Sequence, residues 1–268
     1  MARFITLCSG SSGNAAVVEE EGAYLLIDIG VSCRATLTAL SQLGLTQSGL
    51  QGLLVTHEHI DHVRGLEVFL RRVQPPLFAS AATLDILWET DKLPAAAELV
   101  AVDGRSVEVN GFQVAGFATS HDAAGCCGFL VTTPRGATMA LATDLGVLTE
   151  QVFRNFQKAQ LVAIEANYDP EMLRTGPYPP YLKRRIKSQH GHLSNEDSAA
   201  AVAALVAGGC RRVALCHLSV DNNHPDLVKK ALDMAFAASG HPCPAGCEIQ
   251  IAPRYTPGRW MEFGPAER

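Results

Sequence analysis

The 268-residue sequence places four potential metal ligands within six residues: His57, His59, Asp61 and His62. The apolar run at residues 53–55 comes directly before them and predicts a buried strand. Side chains so close in sequence converge only where the chain turns sharply, so we expect a metal-binding loop after this strand. Imidazole suits zinc, iron and nickel, and a carboxylate makes manganese suitable as well. The cluster therefore predicts a site for one or two divalent ions.

Three residues further along the chain could complete this site, because each stands where an apolar segment ends. They are His121, Asp144 and His217, which follow the predicted strands Phe112–Ala118, Thr138–Ala142 and Arg212–Cys216. Ligands gather at strand ends in α/β sheets, so we expect all three beside the histidine cluster. Taken singly, each could instead be a hydrogen-bonded residue that only caps its strand.

Asp28 stands near the end of the apolar segment 24–29, where a carboxylate is poorly placed for packing. We expect it to accept hydrogen bonds from a neighbouring loop, and the loop at residues 57–62 is the candidate. Such a contact would orient a metal ligand without binding the metal itself.

His192 adds a group suited to phosphate chemistry. It lies just before the Ala-rich segment 194–207, which predicts a helix with Ser194 or Asn195 as its N-cap. The first turn of a helix offers free N–H groups to an anion, so Ser194 and Asn195 are candidate substrate contacts. His192 could hold a phosphate oxygen or protonate a leaving oxygen. The alternative is a surface histidine at a helix start.

Two further segments could contact a polyanionic substrate. The predicted helix 181–187 carries the densest basic run of an acidic protein: Lys183, Arg184, Arg185 and Lys187. This run could follow a phosphate backbone, or it could be an ordinary solvated helix face. The N-terminal loop 8–14 is rich in small polar residues, and the candidate contacts in it are Ser11, Ser12 and Asn14. Its backbone could approach a phosphate closely, with a plain hairpin turn as the alternative.

The order of predicted elements favours an α/β fold. Strands are expected at 4–7, 15–19, 24–29, 53–55, 77–79, 161–165 and, as the last strand, 248–252. Several more are expected within 98–131, with hairpin turns at Asp103-Gly104 and Asn110-Gly111. Helices are expected at 33–43, 63–73, 82–89, 148–158 and 226–238. An early run of strands followed by alternating helices and strands favours two packed sheets with helices outside them.

Composition narrows the class of protein. Hydrophobic residues make up 47% and charged residues 18% of the sequence, which supports a large core and argues against disorder. The net charge of −5 argues against a generally basic surface but permits a local basic groove. The sequence starts without a signal-peptide pattern and has no membrane-length apolar run, so we expect a cytoplasmic protein. Eight cysteines fit reduced thiols there, although Cys243 and Cys247 could join His241 in a structural zinc site.

The segment 57–62 resembles the His-x-His-x-Asp-His signature of the metallo-β-lactamase-fold hydrolases, and the order of the later ligands matches that family too. The resemblance implies a four-layer αββα sandwich that binds two divalent ions, zinc or manganese. It implies one ion held by His57, His59 and His121. It implies a second ion held by Asp61, His62 and His217, with Asp144 bridging the two.

Further motifs resemble the WalJ/YycJ-like branch of that family, a group of exonuclease-like single-domain proteins. These motifs are Ser-Gly-Ser-Ser-Gly-Asn at 9–14, Thr-His-Glu-His-x-Asp-His at 56–62, the Tyr-Pro-Pro to Leu-Lys-Arg-Arg-Ile segment at 178–186, and Gly-His-Leu-Ser-Asn at 191–195. Tyr168 departs from the branch, where histidine is expected. Only residues 145–216 separate Asp144 from His217, whereas larger nucleases carry an extra domain there. We therefore expect one domain over residues 1–268, without a large insertion and with an open groove.

The residues and the resemblance together predict a dinuclear metal-dependent phosphodiesterase, most specifically an exonuclease on DNA, with RNA as the second choice of nucleic acid. In the mechanism that the resemblance implies, a hydroxide bridging the metals attacks phosphorus, with Asp61 and His192 as catalytic side chains. One alternative is a phosphodiesterase for cyclic or short nucleotides, which would use the same ligands. Others are a thioester, lactone or lactam hydrolase, and a non-catalytic binding module on the same scaffold.

Overall fold

The structure is a computed structural model that describes residues 1–264. Over this range one sheet contains seven strands: β1 (Ala2–Cys8), β2 (Ala15–Glu20), β3 (Ala23–Ile27), β4 (Leu50–Leu54), β5 (Leu77–Ala79), β6 (Leu99–Ala101) and β14 (Met261–Phe263). Their spatial order is β14-β1-β2-β3-β4-β5-β6, and the strands from β3 to β6 run parallel. The remaining pairs of this sheet are antiparallel, so the sheet is mixed.

The second sheet also contains seven strands within the described residues: β7 (Ser106–Val109), β8 (Phe112–Ala118), β9 (Cys127–Thr132), β10 (Thr138–Ala142), β11 (Leu161–Glu165), β12 (Arg212–Cys216) and β13 (Glu248–Ile251). Their spatial order is β13-β12-β11-β10-β9-β8-β7. The strands from β10 to β13 run parallel, and the others are antiparallel. Two mixed sheets of this kind agree with the predicted fold class.

Nine α-helices connect the strands in the part of the chain that the structure describes. They are α1 (Cys33–Gln42), α2 (Ile60–Val63), α3 (Leu66–Val73), α4 (Ala81–Glu89), α5 (Glu150–Phe156), α6 (Pro170–Thr175), α7 (Pro180–Ile186), α8 (Asn195–Ala207) and α9 (Pro225–Ser239). None of the helices in residues 1–264 is long and apolar enough to cross a membrane.

Three hydrophobic clusters separate the layers of the molecule. Phe4 and Phe129 belong to the cluster between the two sheets. Phe69 of α3 belongs to a second cluster, on the outer face of the first sheet. Phe156 of α5 and Val202 of α8 belong to a third, on the outer face of the second sheet. Burying each such side chain stabilises the folded state by about 1.5–3 kcal/mol. The arrangement of the clusters confirms the predicted αββα sandwich.

Strand β4 shows how the sandwich positions the predicted metal loop. Leu54 points into the core between the sheets, while its neighbours Leu53 and Val55 point into the cluster beneath the helices. A strand buried on both faces reads as a continuous apolar run, as it does here. The chain therefore leaves the sheet at a fixed point, directly before Thr56.

The predicted helix 63–73 is wrong as a single element, because the structure contains α2 and α3 with a break at Gly65. A Cβ on Gly65 would lie 2.4 Å from the carbonyl oxygen of Val31, so the chain passes too close for any side chain. The Asp103-Gly104 turn joins β6 of one sheet to β7 of the other and is not a hairpin. The Asn110-Gly111 turn does join the antiparallel pair β7 and β8, as predicted.

Helix α6 and strand β14 were also absent from the prediction. Helix α6 begins after Asp169, whose side chain accepts hydrogen bonds from the N–H groups of Glu171 and Met172, with Pro170 at its first position. Strand β14 follows the segment predicted to be last and pairs with β1. The domain predicted over 1–268 includes residues 265–268, which lie outside the described residues.

Candidate metal centre

The structure brings all seven predicted ligands to one edge of the sandwich, where the chain leaves β4, β8, β10 and β12. They are His57, His59, Asp61, His62, His121, Asp144 and His217. Their donor atoms form overlapping groups, and within each group the atoms lie within 4.8 Å of one another. The polar ends of four buried strands thus create one cluster from residues up to 160 positions apart.

The first group consists of His57, His59 and His121. His57 Nε2 lies 3.1 Å from His59 Nδ1, and the His121 ring stands within 5.3 Å of both rings, measured between centroids. His121 Nδ1 lies 2.9 Å from the carbonyl oxygen of Gly191, which leaves Nε2 to face the cluster. The group offers three imidazole nitrogens, a set that suits zinc.

The second group consists of Asp61, His62 and His217. Asp61 Oδ2 lies 3.4 Å from His217 Nε2 and 3.6 Å from His62 Nε2. Both histidines are almost fully buried, at 0% and 1% exposure, whereas Asp61 is partly open to solvent. This group adds an anionic oxygen to two nitrogens, so it also suits manganese.

Asp144 lies between the two groups. Its Oδ2 is 3.1 Å from His62 Nε2, and its Oδ1 is 3.6 Å from His121 Nε2. Asp144 is 2% exposed, and Oδ2 has no hydrogen-bond partner among residues 1–264. A buried carboxylate oxygen without a partner costs free energy unless a cation neutralises it. The donor set and this oxygen fit the binding of divalent metal beside Asp144.

The backbone at two of these strand ends is in an uncommon conformation. Asp144 and His217 both have a φ of 58°, in the left-handed region, and so does Asp28 at 59°. Such a conformation costs a non-glycine residue about 1–3 kcal/mol and persists only where the surrounding structure enforces it. In this conformation the three side chains point toward the ligand cluster or its supporting hydrogen bonds.

The buried carboxylates strongly affect the pKa values of the histidines. Burial opposes the charged form of His62, but the charges of Asp144 and Asp28 outweigh it and raise its pKa to about 10. The same balance, with Asp144 as the main charge, raises the pKa of His217 well above its usual value. His57 behaves in the opposite way, because burial and the neighbouring His62 lower its pKa. Protons and metal ions therefore compete for this cluster.

Asp28 supports the metal loop from behind, as predicted. The backbone N–H of Thr56 donates to its Oδ1 at 2.8 Å, and the Thr56 hydroxyl donates to its Oδ2 at 2.9 Å. His62 Nδ1 lies 2.7 Å from the same Oδ2. Because Nδ1 is engaged there, Nε2 of His62 is the nitrogen that faces the other ligands. Asp28 fixes both the tautomer and the direction of this ring.

Glu165, at the end of β11, orients histidines in the second sheet as Asp28 does in the first. No role was predicted for it. Its Oε1 lies 2.7 Å from His217 Nδ1 and 2.8 Å from His192 Nδ1. Burial opposes its ionisation, yet the charge and hydrogen bond of His192 lower its pKa to about 2. The available signal was a glutamate closing an apolar strand, the same signal that Asp28 gave.

The N-terminal loop packs against the metal loop. The backbone N–H of Asn14 donates to the carbonyl oxygen of Asp61 at 2.8 Å, and its side-chain amide lies 3.1 Å from His62 Nε2. Asn14 is buried, so it stands against the metal cluster, whereas Ser11 is exposed and Ser12 half-buried. Ser11 lines a cavity next to the cluster.

That cavity has a volume of about 130 Å³ and also contacts His121 and His192. His192 is half-buried, with Nδ1 held by Glu165. Burial lowers the pKa of His192, but the charge and hydrogen bond of Glu165 outweigh burial and raise it. The cavity is therefore a place where a substrate could touch both a candidate metal ligand and a histidine whose charged form the Glu165 carboxylate stabilises.

The predicted basic contacts take three different positions. Lys183 donates from Nζ to the carbonyl oxygens of Arg174 and Gly176, so it closes the loop before α7. Arg184 is exposed. Arg185 lines the cavity and forms an ion pair with Asp122, the residue after His121. Of the three, Arg185 is the one that the structure brings beside the metal cluster.

Ser194 and Asn195 are buried at 4% and 1% exposure. The Ser194 hydroxyl accepts a hydrogen bond from Asp197 N–H as the N-cap of α8, as predicted. The Asn195 amide is paired with Asn223. Both side chains are therefore occupied in building the start of α8, and neither is among the described residues that line the cavity. Tyr168, at the position where histidine was expected, is buried in a small cluster with Leu173 and Ile186.

The chain matches the family model of the β-lactamase superfamily domain over residues 24–218. The chain belongs to this superfamily. It is 34% identical to the exodeoxyribonuclease YycJ of Bacillus anthracis over 238 residues, which cover 88% of this chain and 90% of that protein. It is 32% identical to the exodeoxyribonuclease WalJ of Streptococcus pneumoniae over 228 residues, 84% of each chain. The predicted family and its YycJ/WalJ branch are thus confirmed, and the chain is a hydrolase of the metallo-β-lactamase fold.

A solved structure supports the fold independently. Zn(2+)-bound PqqB from Methylobacterium extorquens superposes with a TM-score of 0.69, covering 97% of this chain and 99% of that one at 17% identity. At this identity the likeness bears on the fold alone. Among residues 1–264, the groups of potential metal ligands do not include Cys243 or Cys247.

Proposed function

We propose that this protein is a phosphodiesterase dependent on two divalent ions, and that it acts as an exonuclease on DNA. The observation that carries this proposal is the cavity that joins His121 of the ligand cluster to His192 and Arg185. It places a candidate metal ligand, an imidazole and a guanidinium around one small space. The names of YycJ and WalJ, which are similar to this chain over most of their length, support DNA as the substrate.

The number of ions follows from how the ligands divide. His57, His59 and His121 form one group, and Asp61, His62 and His217 form another, with Asp144 in contact with both. Two cations close together require an anion between them, and Asp144 is placed to supply it. Bound divalent ions would provide an activated water and neutralise charge on the phosphate. Zinc and manganese both fit this mixture of nitrogen and oxygen donors.

The chain's own residues would position the substrate and move a proton. Glu165 accepts a hydrogen bond from Nδ1–H of His192, which leaves Nε2 for the substrate, and the ring in its protonated form would donate from Nε2 to a phosphate or leaving oxygen. Arg185 would contact a phosphate oxygen while it remains paired with Asp122, so the added charge beside the cluster stays balanced. Ser11 borders the same space from the opposite loop. We also propose that Arg184 and Ser12, which are at least partly accessible, guide the rest of the nucleic acid chain.

The test is a degradation assay on single- and double-stranded DNA and RNA, each labelled at the 5′ or the 3′ end, in the presence of Zn²⁺ or Mn²⁺. We expect stepwise shortening of DNA by the wild type and loss of that activity in Asp61→Ala. Asp85→Ala, an exposed aspartate on α4, is the matched control and should behave as the wild type. Equal activity of Asp61→Ala and wild type would refute the assignment of this cluster.

The second candidate function is a phosphodiesterase for cyclic or short nucleotides, because a small cavity also fits a small substrate. The same assay separates the two functions when a chromogenic phosphodiester is included. Hydrolysis of that compound without any shortening of a polynucleotide would favour the small-molecule function. Preference for RNA over DNA would keep the chemistry and change only the substrate.

A further inference from the structure

We propose that the cavity beside the metal centre is a binding site for the nucleobase of the terminal nucleotide, with the ring of Tyr178 as its stacking surface. The proposal rests on the proposed nuclease function and names the part of the substrate that this site would recognise. It goes further by explaining why the protein would act at chain ends.

The lining of the cavity divides into two chemically different sides. One side is polar and includes His121, His192 and Ser219. The other side consists of Tyr178, Leu182 and Ile186, from the loop before α7 and from α7 itself. A phosphate and its metal ions need only the polar side. An apolar wall directly beside them fits the part of a nucleotide that is flat and poorly hydrated, namely the base.

Tyr178 is held in one orientation by contacts on its other sides. Its hydroxyl donates a hydrogen bond to Asp221 Oδ2 at 2.7 Å. Its ring packs against the small apolar cluster of Tyr168, Leu173 and Ile186. Because the hydroxyl is already engaged, we infer that the ring, rather than the hydroxyl, is the part of Tyr178 that a ligand in the cavity would contact. A fixed aromatic face binds any base by stacking, without reading its sequence, and loses little entropy in doing so.

The size of the cavity limits what can enter. A water takes up about 30 Å³, so a volume of about 130 Å³ corresponds to about four waters, which is space for one small planar group. The Arg185–Asp122 ion pair forms part of the lining. A base within a duplex or in the middle of a strand would have to leave its neighbours to enter, which is easiest for the last nucleotide of a chain.

The experiment compares DNA strands that carry either a normal nucleotide or an abasic residue at the 5′ or the 3′ terminus. The proteins are wild type, Tyr178→Ala, Tyr178→Phe and, as matched control, Tyr181→Ala, whose side chain on α7 is 67% exposed. Loss of base stacking is worth about 1–3 kcal/mol, which corresponds to about a 5- to 140-fold change in kcat/KM. Metal content is measured for every variant, so that a misfolded protein is recognised.

We expect the wild type to attack the abasic terminus 5- to 140-fold more slowly at one end of the strand, and Tyr178→Ala to lose that discrimination by slowing only on the normal terminus. Tyr178→Phe and Tyr181→Ala should discriminate as the wild type does. Equal rates of wild type on normal and abasic termini, at both ends, would overturn the base site while leaving the nuclease function intact. Absence of any DNA degradation by the metal-loaded wild type would instead overturn the proposed function, and the base site with it. Equal loss in Tyr178→Ala on normal and abasic termini would assign Tyr178 a structural role and also overturn the proposal.

Discussion

Replacing Asp28 by asparagine should weaken metal binding without removing a single metal ligand. Asparagine has the same shape and tolerates the left-handed φ of 59° at this position, so the backbone need not move. The change removes the negative charge that lies 2.7 Å from His62 Nδ1. It leaves a buried ring nitrogen, at 0% exposure, facing an amide instead of a carboxylate.

The magnitude follows from the hydrogen bond that is lost. A hydrogen bond to a charged group is worth about 1.5–3 kcal/mol, and 1.4 kcal/mol corresponds to a tenfold change in an equilibrium constant. We therefore expect the affinity for one metal ion to fall by about 10- to 100-fold, the range typical of residues that orient a ligand. The Thr56 N–H and hydroxyl lie 2.8 Å and 3.1 Å from Asp28 Oδ1, so an asparagine Oδ1 in that position can still accept both, and the loss falls on His62.

The assay is a competition titration of Zn²⁺ or Mn²⁺ against a chromophoric chelator, using protein stripped of metal beforehand. Asp103→Asn is the matched control, since Asp103 also accepts a backbone hydrogen bond, from Ala81 N–H at 2.7 Å, but within the described residues has no hydrogen bond to a candidate metal ligand. Affinity of Asp28→Asn within threefold of the wild type would refute the reasoning that Asp28 orients His62. A comparable loss in Asp103→Asn would show that the effect is one of general stability.

Glu165→Gln should lower kcat more than it raises KM in steady-state kinetics on a labelled strand, because the change removes the negative charge that contacts both His192 and His217. An unchanged kcat would argue against a role of Glu165 in orienting these histidines. Gly30→Ala should displace the metal loop, since its Cβ would lie 1.6 Å from the Asp61 carbonyl oxygen, and metal analysis should find less than the wild-type content. Gly208→Ala, where the nearest atoms are 3.4 Å away, is the control for that change. Arg185→Ala should raise KM and reduce the slope of log affinity against log salt by about one, measured between low and moderate salt, and an unchanged slope would remove Arg185 from the phosphate path. Stripping the metal with a chelator should lower the melting temperature in a calorimetric scan, because the buried carboxylates lose their counter-charges, and an unchanged temperature would contradict that view.

The sequence was most informative where residue type and element ends coincide. His121, Asp144 and His217 each follow a strand of apolar residues, and polar side chains at such ends can be expected to converge. Asp28 could be predicted for the same reason. These predictions succeed because burial fixes the position of an apolar strand, and a charged or polar residue is tolerated only where that strand ends.

Contacts that depend on side-chain direction could not be predicted in this way. Ser194 and Asn195 stand beside His192 in sequence, but the cap of α8 and the amide of Asn223 engage their polar atoms. Lys183 belongs to a basic run, yet it binds two carbonyl oxygens of the preceding loop. Tyr178 belongs to a motif of the resemblance, but its place in the lining of the cavity depends on the packing of the segment before α7 and could not be predicted.

The break between α2 and α3 and the late strand β14 were missed for a related reason. The break at Gly65 depends on the close approach of the Val31 carbonyl, a contact between distant parts of the chain. Strand β14 is three residues long and gains its identity only by pairing with β1. Short elements of this kind are defined by tertiary partners rather than by local pattern.

We propose above that two divalent ions bound by this cluster drive phosphodiester hydrolysis at a nucleic acid end. The most direct measurement titrates Zn²⁺ or Mn²⁺ into metal-stripped protein while the shortening of end-labelled DNA and the bound metal are followed together. We predict that activity rises with occupancy and reaches its plateau at two equivalents per chain in the wild type, and that Asp144→Asn fails to reach it. Full activity in the stripped protein would contradict the dependence on metal. A plateau at one equivalent would contradict the binding of two ions.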